Sequence, residues 1–257
     1  MPGADGIRVL RAGDGLWLIV SDVPAGEYGE DALTQGLHNL EWVGRRAMAH
    51  EAVIERFLTA RAVLPMKLFT LFTSDERALA HVTRHARGIA RVLARVDRQL
   101  EWGVRLTFDE RAGIGAASQT ESQVEGHVAR HASRARSTRS TLARHEETGS
   151  AYLTRKKDQR DRARLLLARA RSAGERWYRS MARQATAAHR RKAVEQAASD
   201  SRLIVDAAFL IPARRATAFR AEVRRQARDL SMAGVAVALT GPWPPYNFVS
   251  VGAGRSS

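Results

Sequence analysis

The sequence predicts an α+β fold in two domains, and three observations carry that prediction. Short apolar, β-branched runs alternate with stretches of helical periodicity over residues 1–110. A stretch poor in apolar residues and rich in Gly, Ser, Gln and Thr follows at 111–148. Residues 149–257 then give a long, proline-free helical segment and a strand–helix–strand succession. The expected division is an N-terminal α+β domain at 1–110, a linker or variable segment at 111–148, and a C-terminal domain at 149–257. The strand–helix–strand unit of that last domain points to a ferredoxin-like layer carrying a long helical insert.

Composition bounds the possibilities. Hydrophobic residues make up 44% of the 257, enough for a substantial core. There is no cysteine, which excludes disulfides, thiolate metal sites and a cysteine nucleophile, and suits the cytosol. No run approaches the ~18 apolar residues of a membrane span. Met1-Pro2-Gly3-Ala4-Asp5 offers neither the basic nor the apolar region of a signal peptide. The net charge of +15 is unevenly placed: residues 1–110 carry 14 basic and 15 acidic side chains, residues 111–257 carry 28 and 12. A basic second half fits an acidic partner, whether protein, membrane surface or nucleic acid.

In the first domain, Leu16–Val20 reads as a buried strand ended by Ser21-Asp22-Val23-Pro24. Only Ile7-Arg8-Val9-Leu10 could supply a strand before it. Residues 37–60 have helical spacing at Leu37, Leu40, Val43, Ala47, Ile54, Phe57 and Leu58. His50-Glu51 resembles the start of a zinc-binding helix, but Ile54 stands where a second histidine is needed, so His50 is expected to be a structural hydrogen-bonding residue. Ala62–Phe72 reads as a strand, at an edge or bulge because of Pro65. Ser74 caps a helix running to about Gln99, with Asp75 and Glu76 in its first turn. Leu79, Val82, Ile89, Val92, Leu93 and Val96 mark its inner face. Trp102–Phe108 is the next strand.

In the second half, Gly149 to about Ala198 is helical, with Gly174 a point of possible division. Ser201–Ile211 is a strand, ended by Pro212. Ala213–Leu230 is an amphipathic helix with Phe219, Val223 and Leu230 inward. Val235–Leu239 is the last strand, breaking at Thr240-Gly241. Pro242, Pro244 and Pro245 then make a stiff, extended arm carrying Trp243 and Tyr246, after which Phe248 and Val249 can re-enter a sheet edge or core. Two readings of the arm stand: a tail packed on its own domain with Trp243 as a plug, or an aromatic surface offered to a partner.

Nothing in the sequence supports catalysis. There is no nucleophile elbow, P-loop or dinucleotide fingerprint, and Gly13-Asp14-Gly15 is a turn. No cofactor is implied. His81 with His85, and His127 with His131, each stand four residues apart without an evident third ligand, so no metal site is assigned. The Arg-rich run from Arg155 to Lys192 is a solvated helix face, a docking face for an acidic protein, or a nucleic-acid footprint. The absence of a recognition motif and of aromatics interleaved with the basic run argues against nucleic acid.

Five segments, in order, resemble the gas vesicle protein F/L (GvpF/GvpL) family. They are 16–24 with Ser21-Asp22-Val23-Pro24, 38–57 with His50-Glu51-Ala52-Val53, 62–72, 149–157 with Ala151-Tyr152-Leu153, and 235–249. The most specific is Thr240-Gly241-Pro242-Trp243-Pro244-Pro245-Tyr246-Asn247-Phe248-Val249. In the third segment Lys67 and Leu68 replace the family's Arg and Phe, and Phe69 stands where members usually have Gly; members also usually have a strand before the first segment, so by the resemblance the first strand here is expected to be shortened or missing. The resemblance implies a modified ferredoxin-type C-terminal domain. It also implies a non-enzymatic accessory or minor structural protein of gas vesicle assembly, cytoplasmic and at the vesicle, binding the small shell protein and other accessory proteins. Candidate partner contacts are Trp243, Tyr246 and Phe248 on the arm, and the basic residues Arg155, Lys156 and Lys157. A basic nucleic-acid-binding protein is the alternative.

Overall fold

The computed structural model describes residues 6–110, 149–191 and 201–249. The expected linker 111–148, with His127 and His131, lies outside the described residues. Packing divides the chain into two compact units, Met1–Glu101 with Gly241–Ser257, and Trp102–Thr240. The changeover falls within a strand, at 101/102, where the sequence reading placed it at 110.

The first unit opens with a hairpin. β1 (Ile7–Gly13) pairs antiparallel with β2 (Leu16–Ser21), from Ile7 opposite Ser21 to Arg11 opposite Trp17. The first strand is therefore neither missing nor short: its seven residues alternate between outer and inner faces, and the Gly13-Asp14-Gly15 turn closes the pair. Two short helices follow, α1 (Ala25–Tyr28) and α2 (Glu30–Gly36). α3 (Leu40–Glu55) starts at Asn39, whose side chain accepts from the backbone N–H groups of Glu41 and Trp42 at 3.0 and 3.1 Å. Of the seven residues expected to face inward, Ile54 is buried, while Leu37 and Leu40 are exposed.

Ala62–Phe72 is not a strand. Pro65 has no N–H for a ladder, and a turn at Lys67–Thr70 reverses the chain, with Thr70 N–H donating to the Lys67 carbonyl at 3.1 Å. Phe69 sits at φ 62°, so this chain keeps a left-handed backbone at the place where glycine is usual in the family it resembles. Its ring stacks on Trp42, centroids 5.4 Å apart, and the Arg46 guanidinium lies over the Trp42 ring, 3.8 Å from its centroid. The buried Arg46 is neutralised by Glu27 at 2.9 Å.

The helix expected over 74–99 is two helices, α4 (Asp75–Arg84) and α5 (Ala86–Arg95), divided at His85, which leaves helical geometry at φ −100°, ψ 7°. Ser74 caps α4 as expected, accepting from Arg77 N–H at 3.3 Å. Val82, Ile89, Val92 and Val96 are buried.

The second unit holds a four-stranded sheet in the order β4-β5-β3-β6. Its chain order is β3 (Gln99–Asp109), α6 (Gly149–Ala182), β4 (Ala187–Arg190), β5 (Ser201–Pro212), α7 (Ala216–Ser231, entered through a 3-10 turn at Ala213–Arg215) and β6 (Val235–Trp243). That β-α-β-β-α-β succession with the β5–α7–β6 crossover split by β3 is the ferredoxin-like arrangement. β3 is thus the first strand of this sheet rather than the last of the N-terminal unit. The long helix is its first crossover helix, extended at the N-terminal end, rather than an insert.

α6 ends at Ala182, short of the expected 198, and gives way to β4, which pairs antiparallel with β5 from Ala187–Leu210 to Arg190–Ala207. Residues 192–200 lie outside the described residues. Gly174 does not divide the helix. A Cβ there would stand 2.6 Å from Ile204 Cγ2, so the glycine lets α6 lie close on β5. Ala170, Trp177 and Met181 of α6, Phe209 of β5, and Phe219, Val223 and Leu230 of α7 form the core. Trp177 meets Phe209 edge-on at 6.0 Å and Phe219 meets it at 5.7 Å. The first half of α6, from Tyr152 to Arg162, is exposed on every side.

Candidate functional site

The C-terminal arm is built by the end of β6. The strand does not break at Thr240-Gly241 but continues to Trp243, with a cis peptide bond between Gly241 and Pro242. Gly241 holds φ 112°, and a Cβ on it would come within 2.9 Å of the Glu101 carbonyl oxygen and 3.1 Å of Trp243 Cδ1. Only glycine fits both the backbone and the approach. Pro244 and Pro245 are buried, and Tyr246–Phe248 form one 3-10 turn.

Two carboxylates fix the arm. Glu101, 3% exposed, accepts from the Asn247 backbone N–H at 2.9 Å and also from the Asn247 side-chain amide. Glu51 of α3 accepts from the Tyr246 hydroxyl. Burial, then that bond, then the charges of Glu51, Glu55 and Glu101 push the Tyr246 hydroxyl above the ordinary tyrosine range, so it stays a proton donor. Next to Glu51, His50 Nε2 lies 3.1 Å from the Met66 carbonyl oxygen, which confirms the structural role expected for His50. Three separated runs that carried the family resemblance, His50-Glu51-Ala52-Val53, Leu64-Pro65-Met66 and Gly241–Val249, therefore meet in the first unit.

The candidate residues separate by exposure. Trp243 and Tyr246 are 36% and 37% exposed, so each is half anchor and half surface. Phe248, at 9%, packs inward with Val249 and offers no surface; of the two readings of the arm, it follows the packed one. Arg155, Lys156 and Lys157 are exposed on the first half of α6, and the Lys156 ammonium lies 5.7 Å from the Tyr152 ring centroid. They belong to the second unit, the arm to the first. Sequence reading missed Glu51 and Glu101 as anchors, and also Met48, which is exposed one turn before Glu51 and Ala52. The available signal was the 48-51-52-55 spacing on α3, which places these residues on neighbouring turns.

Among the described residues no group of three or more His, Asp or Glu side chains could hold a metal ion, and no helix is long and apolar enough to cross a membrane. The His81 and His85 rings lie tilted against each other, centroids 4.4 Å apart, with His85 Nδ1 2.8 Å from the His81 carbonyl oxygen.

Fold and site define a mixed α+β protein with a ferredoxin-like sheet and a proline-aromatic arm clamped by carboxylates. Residues 3–250 match the model of the gas vesicle synthesis protein GvpL/GvpF family, and the chain belongs to that family. It is 31% identical to gas vesicle protein L of Streptomyces sp. (strain CB03234), over 97% of this chain and 87% of that protein. The crystal structure of GvpF from Anabaena sp. PCC7120 shares the fold, with a TM-score of 0.61 at 15% identity, covering 96% of this chain and 88% of that one. GvpF from Microcystis aeruginosa gives 0.53 at 13% identity, covering 95% and 88%. Membership makes this a gas vesicle accessory protein.

Proposed function

We propose that this chain acts without catalysis in the cytoplasm, at the forming vesicle, where it binds the small shell protein and other accessory proteins while the shell assembles. The arm is the contact we assign to the shell protein. One observation carries the reading: the buried Glu101 holds the arm at Asn247 and Glu51 bonds the Tyr246 hydroxyl, yet Trp243 and Tyr246 leave about a third of their surface open. Pre-anchored aromatics lose little conformational entropy on binding and supply large apolar area to a hydrophobic partner. Met48, exposed one turn before Glu51 on α3, is a further apolar side chain such a partner could cover. The basic second half, net +16 over residues 111–257, contributes steering toward acidic partners.

The test is complementation of cells that lack this chain. Trp243→Ala should lower vesicle yield while the purified variant still folds, shown by a cooperative unfolding transition. Full yield from a folded Trp243→Ala, Met48→Ala double variant would remove the arm from the account.

A further inference from the structure

The long helix carries a pattern that the arm does not use. Arg155, Arg162, Arg169 and Arg176 recur every seven residues, and all four are exposed. Seven residues fall about 20° short of two full turns, so the row drifts only about 60° around α6 over a rise of roughly 31 Å. Among the described residues, Arg162, Arg169 and Arg176 make no ion pair or hydrogen bond, whereas Arg164 and Arg179 on the same helix reach Asp161 and Glu175. A second line, three residues on, holds Asp158, Leu165 and Ser172 at the same interval. Residues 152–171 carry eight basic and two acidic side chains.

A helix that is polar all round gains little from its own core; its first half must stand in solvent or meet a partner. Here the charge is strongly positive and repeats at steps of about 10.5 Å along the axis, the step at which a second helix with a seven-residue repeat presents its side chains. We infer that this face is a docking rail for an acidic α-helix of a partner protein, one that carries carboxylates every seven residues. A phosphate backbone fits less well, because Asp158 and Asp161 sit beside the arginine row and would repel it. Another helix can oppose Arg with Glu, cover Leu165 and avoid the aspartates. The rail lies in the second unit and is independent of the arm; that its partner belongs to the gas vesicle machinery rests on the function proposed above.

The probes are two labelled peptides of identical composition, one with glutamates at seven-residue spacing and one with the same glutamates clustered, titrated against the full chain at low and physiological ionic strength. Each exposed ion pair is worth a factor of about two, so the spaced peptide should bind about tenfold tighter, with the difference shrinking as salt rises. Arg162→Gln, Arg169→Gln and Arg176→Gln together should abolish that preference. Arg160→Gln, Arg164→Gln and Arg171→Gln, which remove as many charges from the other flank, should leave it. Equal binding of the two peptides by the unmodified chain overturns the inference. So does a preference that survives loss of the arginine row, or displacement of the spaced peptide by duplex DNA at physiological salt. None of these results would alter the arm's expected hold on the shell protein, and loss of that hold would not alter the peptide preference.

Discussion

Replacing Glu101 by alanine should free the C-terminal arm. The Glu101 carboxylate accepts both the backbone N–H and the side-chain amide of Asn247. The Asn247 side chain is half-buried and can turn toward water, so its loss costs about 0.5–1 kcal/mol. The backbone N–H stays behind Pro244, Pro245 and Phe248, all buried, and leaving it without an acceptor costs about 1–3 kcal/mol. Together the change is worth about 1.5–4 kcal/mol, or a loss of protection against hydrogen exchange at Asn247 N–H of about 10- to 1000-fold. Glu101→Gln should cost only about 1 kcal/mol, since its carbonyl oxygen can take the backbone N–H and the Asn247 amide can rotate to meet its NH2 group. The assay is amide exchange followed residue by residue, with urea unfolding as the global control. If alanine and glutamine variants lose the same protection, or neither loses more than about threefold, Glu101 does not hold the arm.

Phe69 gives a second, sharper order. Phe69→Gly relieves about 1 kcal/mol of left-handed strain but loses the Trp42 contact, for a net loss of about 1 kcal/mol; Phe69→Ala keeps the strain and loses the ring, so about 2–3 kcal/mol. Urea midpoints should therefore rank Phe above Gly above Ala. Gly174→Val should destabilise by about 1–3 kcal/mol despite better helix propensity, because a Cβ meets the branched Ile204 side chain at 2.6 Å. Glu222, bonded to Arg225 and Gln226, has its carboxyl pulled down to about 2. Its contribution should be fully present above pH 4.5 and lost as pH falls toward 2, and this acid-side loss should be absent in Glu222→Gln when unfolding midpoints are compared across that range.

Much of the fold was legible because period and burial agree. The alternation of Trp102, Val104, Leu106 and Phe108 identified β3, and the Phe219, Val223 and Leu230 spacing identified the inner face of α7. What failed did so for local reasons. Ala62–Phe72 is apolar enough for a strand, but Pro65 and the left-handed Phe69 turn it into a covering loop. α1 and α2 span four and seven residues, too few for a period to register. β4, Ala-Ala-His-Arg, has no strand composition and exists because β5 offers it an edge. Gly174 read as a break, whereas it permits close packing of helix on sheet. At the site, the prolines announced the extended arm, but its anchors could not be read locally. Glu51 and Tyr246 are 195 residues apart, and Glu101 and Asn247 are 146 apart.

The most direct test of the arm's role is a titration of purified shell protein against the full chain and against Trp243→Ala, at physiological salt with excess duplex DNA present. Trp243→Ala should weaken binding by at least tenfold, the ~1.4 kcal/mol minimum expected for a partly buried aromatic anchor, with the variant still folded in a cooperative unfolding transition. Equal affinity of the two proteins would contradict the account and shift the shell contact away from the arm.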